Sequence, residues 1–155
     1  MKFDWKKLLI ALAIPLVVGG LSALVSGGMA DYAQLNRPPL SPPGWVFPIV
    51  WTVLYLLMGY ASYRVYMFQA DPEQKRSALL LYGAQLVLNF LWSPIFFGLQ
   101  WRLVAFVVLI ALWVLVALTL RAFSRIDETA GDLLLPYILW ITFAAYLNLG
   151  TYLLN

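Results

Sequence analysis

The composition of this chain excludes an ordinary soluble domain. Of its 155 residues, 63% are hydrophobic and 11% are charged, with a mean hydropathy of +0.84, whereas soluble domains carry about 25% charged residues. We therefore predict a membrane protein of one domain, residues 1–155. The net charge is +3, but the basic residues are scattered along the chain, so we predict no nucleic-acid partner.

Five uncharged runs predict five transmembrane helices, because a helix needs about 20 apolar residues to cross a bilayer. The predicted helices cover residues of about 7–28, 45–67, 78–98, 103–121 and 133–153. Two charged segments, Gln69–Arg76 and Arg121–Asp132, are predicted to be solvated loops. The predicted fold class is therefore all-α, an integral membrane bundle.

The basic residues predict the orientation of the bundle, because loops rich in Lys and Arg stay in the cytoplasm. With the N-terminus inside, only Arg37 and Arg102 of the ten basic residues fall on the outer side. We therefore predict a cytoplasmic N-terminus, and place the first loop, residues 29–44, and the C-terminus outside.

The first helix carries small residues on one face. Gly19, Ala23 and Gly27 recur at every fourth position, a spacing that lets membrane helices approach closely. Packing within one bundle and contact between two copies both fit this pattern.

The first loop leads into the second helix through a proline-rich stretch, Leu35–Trp51, with the sequence LNRPPLSPPGWVFPIVW. It holds five of the nine prolines of the chain. Proline fixes φ, has no N–H to donate and restricts the residue before it, so this stretch is predicted to be stiff and non-helical at its start. We therefore interpret residues 29–44, the lid loop, as a fixed lid over an aromatic-lined space.

The third helix carries a polar stripe. Gln85, Asn89 and Ser93 lie at i, i+4 and i+8 and share a face, with Trp92 at its edge. A polar side chain in hydrocarbon needs a partner, which could be a neighbouring helix, a water molecule or a ligand. Pro94 then predicts a bend.

Aromatic residues on two other helices are predicted to face this stripe. Trp51 and Tyr55 share a face of the second helix, and Trp140, Ala144 and Leu147 share a face of the fifth. Under the lid loop they would frame an apolar cavity with few polar anchors. Such a cavity suits a flat hydrophobic ligand.

Three stretches carry a family resemblance: RPPLSPPGWVFPIVWTVLYLLMGYASY, QLVLNFLWSPIFFG and PYILWITFAAYLN. At these residues the chain resembles the TspO/MBR family, which includes translocator proteins, peripheral benzodiazepine receptors and tryptophan-rich sensory proteins. The resemblance implies a five-helix bundle, commonly dimeric, whose first loop closes a pocket. That pocket binds protoporphyrin IX and other haem-type tetrapyrroles, drug-like ligands and, in animal members, cholesterol.

The resemblance also implies which residues form the site. In bacterial relatives, porphyrin is broken down in light and oxygen through two tryptophans that look like Trp51 and Trp140 here. The ligand-binding residues it implies are Tyr32, Pro42, Trp51, Tyr55, Asn89, Trp92, Ser93, Trp140, Ala144 and Leu147. The chain departs from the family at Leu40, where many members have tryptophan. It also departs at Tyr152, which no basic residue follows, although many members have one there in a proposed cholesterol motif.

The residue types that the chain lacks exclude several kinds of catalytic and metal-binding site. The chain has no cysteine and no histidine, which excludes thiol nucleophiles, Cys/His metal sites and imidazole catalysis. No ionisable residue lies in the middle of a predicted helix, so a proton relay is excluded as well. We therefore predict no metal, no cofactor and no acid–base catalysis.

Three function classes remain. The first is a membrane-embedded tetrapyrrole-binding protein that supports light-driven porphyrin degradation, with Trp51 and Trp140 at the pigment and Asn89 donating a hydrogen bond. The second is a transporter of porphyrin or lipid-like molecules, ranked lower because coupled transport usually needs intramembrane charge. The third is a non-catalytic ligand sensor. In each case the resemblance implies a bacterial cell membrane, contact with lipid, a homodimer and a hydrophobic ligand that could include sterols.

Overall fold

The structure is a computed structural model that describes residues 2–27 and 32–155. Its helices are α1 (Trp5–Val25), α2 (Val46–Met67), α3 (Pro72–Ser93), α4 (Arg102–Ile126), α5 (Glu128–Leu133) and α6 (Leu135–Leu154). A 3₁₀ turn, Tyr32–Gln34, precedes α2, and a π-helical turn, Pro94–Gly98, continues α3. Residues 29–31 of the lid loop lie outside the described residues.

Five helical segments are long and apolar enough to cross a membrane. Three are α1, α2 and α4, the fourth is α3 with its π-helical turn, and the fifth is α5 joined to α6. The two described ranges contain no strand. The prediction of an all-α bundle with five spanning helices is confirmed.

The third helix starts six residues earlier than predicted, at Pro72 instead of residue 78. The Asp71 side chain accepts a hydrogen bond from the Gln74 amide at 3.2 Å, and proline suits the first helical position because it has no N–H to leave unpaired. Most of the segment Gln69–Arg76 is therefore the first turns of α3, and the prediction that it is a loop was wrong.

The segment Arg121–Asp132 was also predicted to be a loop, but it is largely helical. Helix α4 continues to Ile126, and α5 begins at Glu128. Between them, the buried Asp127 carboxylate pairs with the Arg64 guanidinium of α2, with 2.6 Å between Nε and Oδ2. Asp127 also accepts from the Thr129 amide at the start of α5. Asp127 is therefore the C-cap residue of α4, and its side chain caps α5 and ties this junction to α2.

Pro94 marks a change of helix type. The α-helical pattern of α3 ends at Ser93, and the π-helical turn that follows closes with a bond from the Leu99 amide to the Pro94 carbonyl at 2.9 Å. Proline disturbs the regular i to i−4 pattern because it lacks an N–H. The irregularity lies where the sequence predicts a bend, directly after the polar stripe.

The helices α1 and α2 approach each other closely at Gly59. A Cβ atom on Gly59 would lie 2.7 Å from the Ala11 carbonyl oxygen and 3.0 Å from the Leu12 Cα. Only a residue without a side chain permits this approach. On α1, Ser22 donates to the Phe90 carbonyl at 2.8 Å, so this side of α1 packs on α3. Of the small-residue face, Gly19 is half-buried, whereas Ala23 and Gly27 are exposed.

We expect Gly59→Ala to destabilise the bundle, because the added methyl group pushes the α1 backbone away from α2. The expected loss is about 1 to 3 kcal/mol, as for other overpacked sites, seen as a lower apparent melting temperature by circular dichroism in detergent. Gly83→Ala is the matched control, since no heavy atom lies within 4 Å of its added Cβ. Equal melting temperatures for the two variants would contradict the close α1–α2 contact.

Candidate ligand-binding site

The largest apolar cavity among those described lies between α1, α2 and α3. This main cavity has a volume of about 310 Å³. Its lining residues are Leu16, Gly19, Gly20, Ser22, Ala23, Phe47, Pro48, Trp51, Thr52, Tyr55, Asn89, Trp92, Ser93 and Phe97. Leu16, Gly20 and Thr52 are exposed on the outside of the bundle, so the cavity reaches the lipid-facing surface beside α1 and α2.

Gly19 determines how close the wall of α1 comes to Tyr55. A Cβ atom on Gly19 would collide with the Tyr55 ring, so glycine lets the ring lie directly against the helix. Tyr55 in turn stacks on Trp51, with ring centres 5.5 Å apart and an interplanar angle of 28°. Gly19, one residue of the small-residue face, therefore supports the aromatic wall formed by α2.

The two tryptophans that the resemblance implies are in contact. The rings of Trp51 and Trp140 have centres 6.5 Å apart and are nearly perpendicular, at 89°. Trp51 lines the main cavity, whereas Trp140 lies behind it and also touches Phe47, at 5.8 Å. The Trp140 Nε1 atom is buried and has no hydrogen-bond partner among the described residues. It remains a free donor next to the cavity wall.

Buried hydrogen bonds connect α2, α3 and α6 at the base of the main cavity. The Tyr55 hydroxyl donates to Asn89 Oδ1 at 2.9 Å, Asn89 Nδ2 donates to the Tyr137 hydroxyl at 2.7 Å, and Tyr137 donates to Gln85 Oε1 at 2.6 Å. Neighbouring helices, one of the kinds of partner that the sequence allowed, therefore bind Gln85 and Asn89 of the polar stripe. We call these four side chains the amide network.

Two much smaller voids lie beside the main cavity. The lid void, about 30 Å³, lies between the lid loop, the π-helical turn and α6, and the central void, about 10 Å³, lies deeper in the bundle. Trp92 lines all three spaces, while Phe47 and Phe97 line both the main cavity and the lid void. The single hollow expected from the sequence is therefore divided by aromatic side chains, which fill space that would otherwise lose dispersion contacts.

Trp92 is fixed in this dividing position by hydrogen bonds. Its Nε1 donates to Asn148 Oδ1 at 2.9 Å, and Asn148 Nδ2 donates to the Arg102 carbonyl at 2.9 Å. The next residue, Ser93, lies 2.8 Å from the hydroxyl of Ser26 on α1. Trp92 and Ser93 are therefore held by hydrogen bonds to α6 and to the end of α1.

The lid loop is seated on α6. The Tyr146 hydroxyl donates to the Pro39 carbonyl at 2.7 Å, and Pro38 is buried against Gly150, where a Cβ atom would lie 2.6 Å from the Pro38 Cγ. Within the loop, the Tyr32 hydroxyl donates to the Pro42 carbonyl at 2.7 Å. The loop therefore closes the lid void and leaves the main cavity to the helices.

Further hydrogen bonds join the start of the loop to the end of α6. The Asn36 side chain donates to the Leu154 carbonyl, and Asn155 Nδ2 donates to the Asn36 carbonyl at 2.8 Å. Leu40, where many family members have tryptophan, is 83% exposed with a left-handed φ of 72°. Its side chain lines none of the three internal spaces.

The ten predicted site residues fall into three groups. Trp51, Tyr55, Asn89, Trp92 and Ser93 line the main cavity. Tyr32, Ala144 and Leu147 line the lid void. Pro42 and Trp140 line none of the three spaces, although each contacts a residue that does.

Sequence reasoning missed two residues of the site, Phe47 and Tyr137. Phe47 lies one helical turn before Trp51 on the same face, and Tyr137 lies one turn before Trp140. The same i, i+3 and i, i+4 spacing that selected the tryptophans could have found both.

The walls of the site restrict its chemistry. No Asp, Glu, Lys or Arg lines any of the three spaces. The described residues also contain no group of three His, Cys, Asp or Glu side chains that could hold a metal ion. The site offers apolar surface, aromatic faces and a few amide, indole and hydroxyl groups, which together suit binding of a flat apolar molecule.

The sequence matches known proteins over nearly its whole length. The profile of the TspO/MBR family matches residues 11–153. The chain is 41% identical over 155 residues to the tryptophan-rich sensory protein of Cereibacter sphaeroides, covering 100% of this chain and 95% of that protein. It is 36% identical over 137 residues to protein CrtK of Rhodobacter capsulatus, covering 88% and 85%. It is 38% identical over 122 residues to the translocator protein of Ovis aries, covering 78% and 72%.

We expect Gly150→Leu to release the lid loop, because its side chain would occupy the space of the Pro38 ring. Hydrogen–deuterium exchange should then become faster at the non-proline amides of residues 35–41, while the helices keep their protection. Leu153→Ala is the control on the same helix, since Leu153 is 70% exposed. Unchanged exchange of the loop amides in Gly150→Leu would contradict the seating of the loop on α6.

Proposed function

The chain belongs to the TspO/MBR family, and from this premise we propose that it binds tetrapyrroles such as protoporphyrin IX within the membrane and supports their breakdown by light and oxygen. The observation that carries this proposal is the Trp51 indole on the wall of an apolar cavity, stacked on Tyr55 and in contact with Trp140. Indole rings offer flat, polarisable faces on which a macrocycle can stack.

The size of the main cavity bears on how a macrocycle would fit. About 310 Å³ is near the lower end of ligand sites, which span roughly 300 to 1,000 Å³. We propose that the ligand displaces the rings of Phe47 and Phe97, which joins the main cavity to the lid void. The lid loop would then cover the bound ligand, in keeping with the lid role predicted from its prolines.

Asn89 is the polar anchor that we assign to the ligand. A side-chain amide has two N–H donors and an oxygen with two lone pairs, and Asn89 uses one donor and one lone pair within the amide network. A second N–H therefore remains for a ligand in the main cavity. The unpartnered Trp140 Nε1 offers a further donor, provided that the ligand reaches behind Trp51.

The chemical step that we assign to the tryptophans is a single electron transfer. The photoexcited macrocycle takes one electron from an indole, which leaves a macrocycle radical anion and an indole radical cation. Dioxygen from solution adds to the macrocycle radical anion, and the adduct returns one electron to the indole radical cation. The net change is addition of O2 to the macrocycle, and the indole is restored. Trp51 is the first donor because it lines the main cavity, and Trp140 is near enough to pass an electron to it.

The apolar walls also suit other hydrophobic molecules, including drug-like and sterol-like ligands. Transport of such a molecule is the second candidate function, and the specific observation in its favour is the opening of the main cavity beside α1 and α2. A carrier would produce a flux of porphyrin into sealed vesicles. A sensor would bind the pigment without flux and without pigment loss.

We further propose that the protein lies in a bacterial cell membrane with its N-terminus in the cytoplasm, and that it forms a homodimer. Eight of the ten Lys and Arg residues belong to the side that holds the N-terminus, as expected for cytoplasmic loops. The lid loop would then face the outside. Cysteine accessibility at introduced positions in the two sets of loops would test this topology.

We expect Trp51→Phe to slow the light-driven loss of protoporphyrin IX several-fold and Trp140→Phe to slow it less, because only Trp51 lines the main cavity. The double variant should be slowest. The measurement is the decay of pigment absorbance under constant illumination in air, after dark titrations have shown that each variant binds the pigment. Phenylalanine keeps an aromatic face but is much harder to oxidise than indole.

Trp113→Phe provides the matched control for this experiment. Trp113 is a partly exposed tryptophan on α4 whose Nε1 donates to Thr142 at 2.9 Å, and it lines none of the three spaces. Its variant should degrade the pigment at the wild-type rate. Equal decay in the wild type and in the double variant would reject the role of the two indoles.

A further inference from the structure

The lid end of the bundle, where the lid loop, the start of α4 and the end of α6 meet, has basic side chains and, in the described ranges, no acidic side chain. Its two basic residues in the described ranges are Arg37 and Arg102. All six acidic residues of those ranges lie at the opposite end: Asp4, Asp71, Glu73, Asp127, Glu128 and Asp132. The seventh acidic residue, Asp31, lies outside the described residues.

Both guanidinium groups lie over aromatic rings. The Arg37 Cζ atom is 4.6 Å from the centre of the Tyr32 ring, and the Arg102 Cζ atom is 5.3 Å from the centre of the Phe96 ring. Such stacking orients a guanidinium and leaves its N–H groups free at the edge. Tyr32 and Phe96 line the same lid void, so each arginine stacks on a ring of that void without lining the void itself.

Neither guanidinium has a carboxylate partner in the described ranges, where the ion pairs are those of Lys7 with Asp4 and of Arg64 with Asp127. The Arg102 Nε atom is buried without a hydrogen-bond partner, an arrangement that costs free energy unless an acceptor is supplied. Arg37 also lines an open concavity of about 640 Å³ on the outside of the lid loop. An anionic group therefore has both donors and room at this end.

We propose that Arg37 and Arg102 form a carboxylate-binding rim, so that the site selects ligands with an apolar body and acidic side arms. The inference rests on the proposed function and names the chemical form of its ligand. The body would occupy the joined apolar space, and the carboxylates would remain at the lid end. Arginine suits this role because its planar fork donates two parallel hydrogen bonds to a carboxylate. A neutral ligand gains nothing from the rim.

The test compares protoporphyrin IX, which has two carboxylates, with its dimethyl ester, which has the same macrocycle and none. Affinity is measured in detergent by quenching of tryptophan fluorescence in the dark. We expect Arg37→Gln/Arg102→Gln to lower the affinity for the diacid at least about tenfold, the loss expected for charge-assisted hydrogen bonds. The affinity for the ester should not change. The affinity for each pigment is compared between protein variants in the same detergent. The difference between the two pigments in partitioning into detergent therefore does not affect the comparison.

Two further variants complete the design. Arg76→Gln/Arg121→Gln removes the same charge from exposed positions at the opposite end and should leave both affinities at wild-type values. Arg37→Lys/Arg102→Lys keeps the charge at the lid end but loses the planar fork, so it should lose part of the affinity for the diacid and none for the ester. The lysine variant also decides the question if the glutamine variant does not fold, since a loss of affinity for the diacid alone supports the rim and wild-type affinities for both pigments overturn it.

The outcomes separate this inference from the function on which it rests. If neither pigment quenches the wild-type protein, the proposed tetrapyrrole binding fails. If both pigments bind and the glutamine variant loses affinity for both equally, or for neither, the rim is overturned while tetrapyrrole binding stands. Loss of the diacid preference in the Arg76→Gln/Arg121→Gln control would also overturn it, because the effect would then follow from net charge alone.

Discussion

The site depends on one constraint: polar side chains within a bilayer must find partners in the protein itself. In this bundle the amide network meets that constraint by linking Tyr55 on α2, Asn89 and Gln85 on α3, and Tyr137 on α6. Each bond fixes the rotation of one helix relative to the next. Because Trp51 lies one turn from Tyr55, and Trp140 lies one turn from Tyr137, the same bonds hold the two indoles in contact.

The interior around this network is aromatic and only partly filled. Trp92 borders all three internal spaces and is held by Asn148, whereas Phe47 and Phe97 have no polar groups that would fix them. The wall therefore has a fixed part, the Trp92 indole, and an adjustable part, the rings of Phe47 and Phe97, which only packing holds in place. Ligand size and shape would act on the adjustable part, while the amide network keeps the helices in place.

The sequence predicted the five helices well because charge and hydropathy are properties of the residues themselves. It failed at Asp71 and Asp127, where charges that indicated loops turned out to cap helices, since capping depends on hydrogen bonds that composition does not reveal. It identified the polar stripe and its inward direction. It could not show that Phe47 and Phe97 divide the interior, because that division depends on side-chain rotamers and on how three helices meet.

The part of α6 that holds the lid loop lies far from the loop in the sequence. Pro39 and the tyrosine that holds its carbonyl, Tyr146, are 107 positions apart, and a ribosome adds about 5 to 20 residues per second. During translation the loop is therefore made several seconds before its resting place exists. The nascent protein therefore passes through a stage with four helices in which the lid void has no α6 wall. That void is enclosed only once the last helix packs against the others.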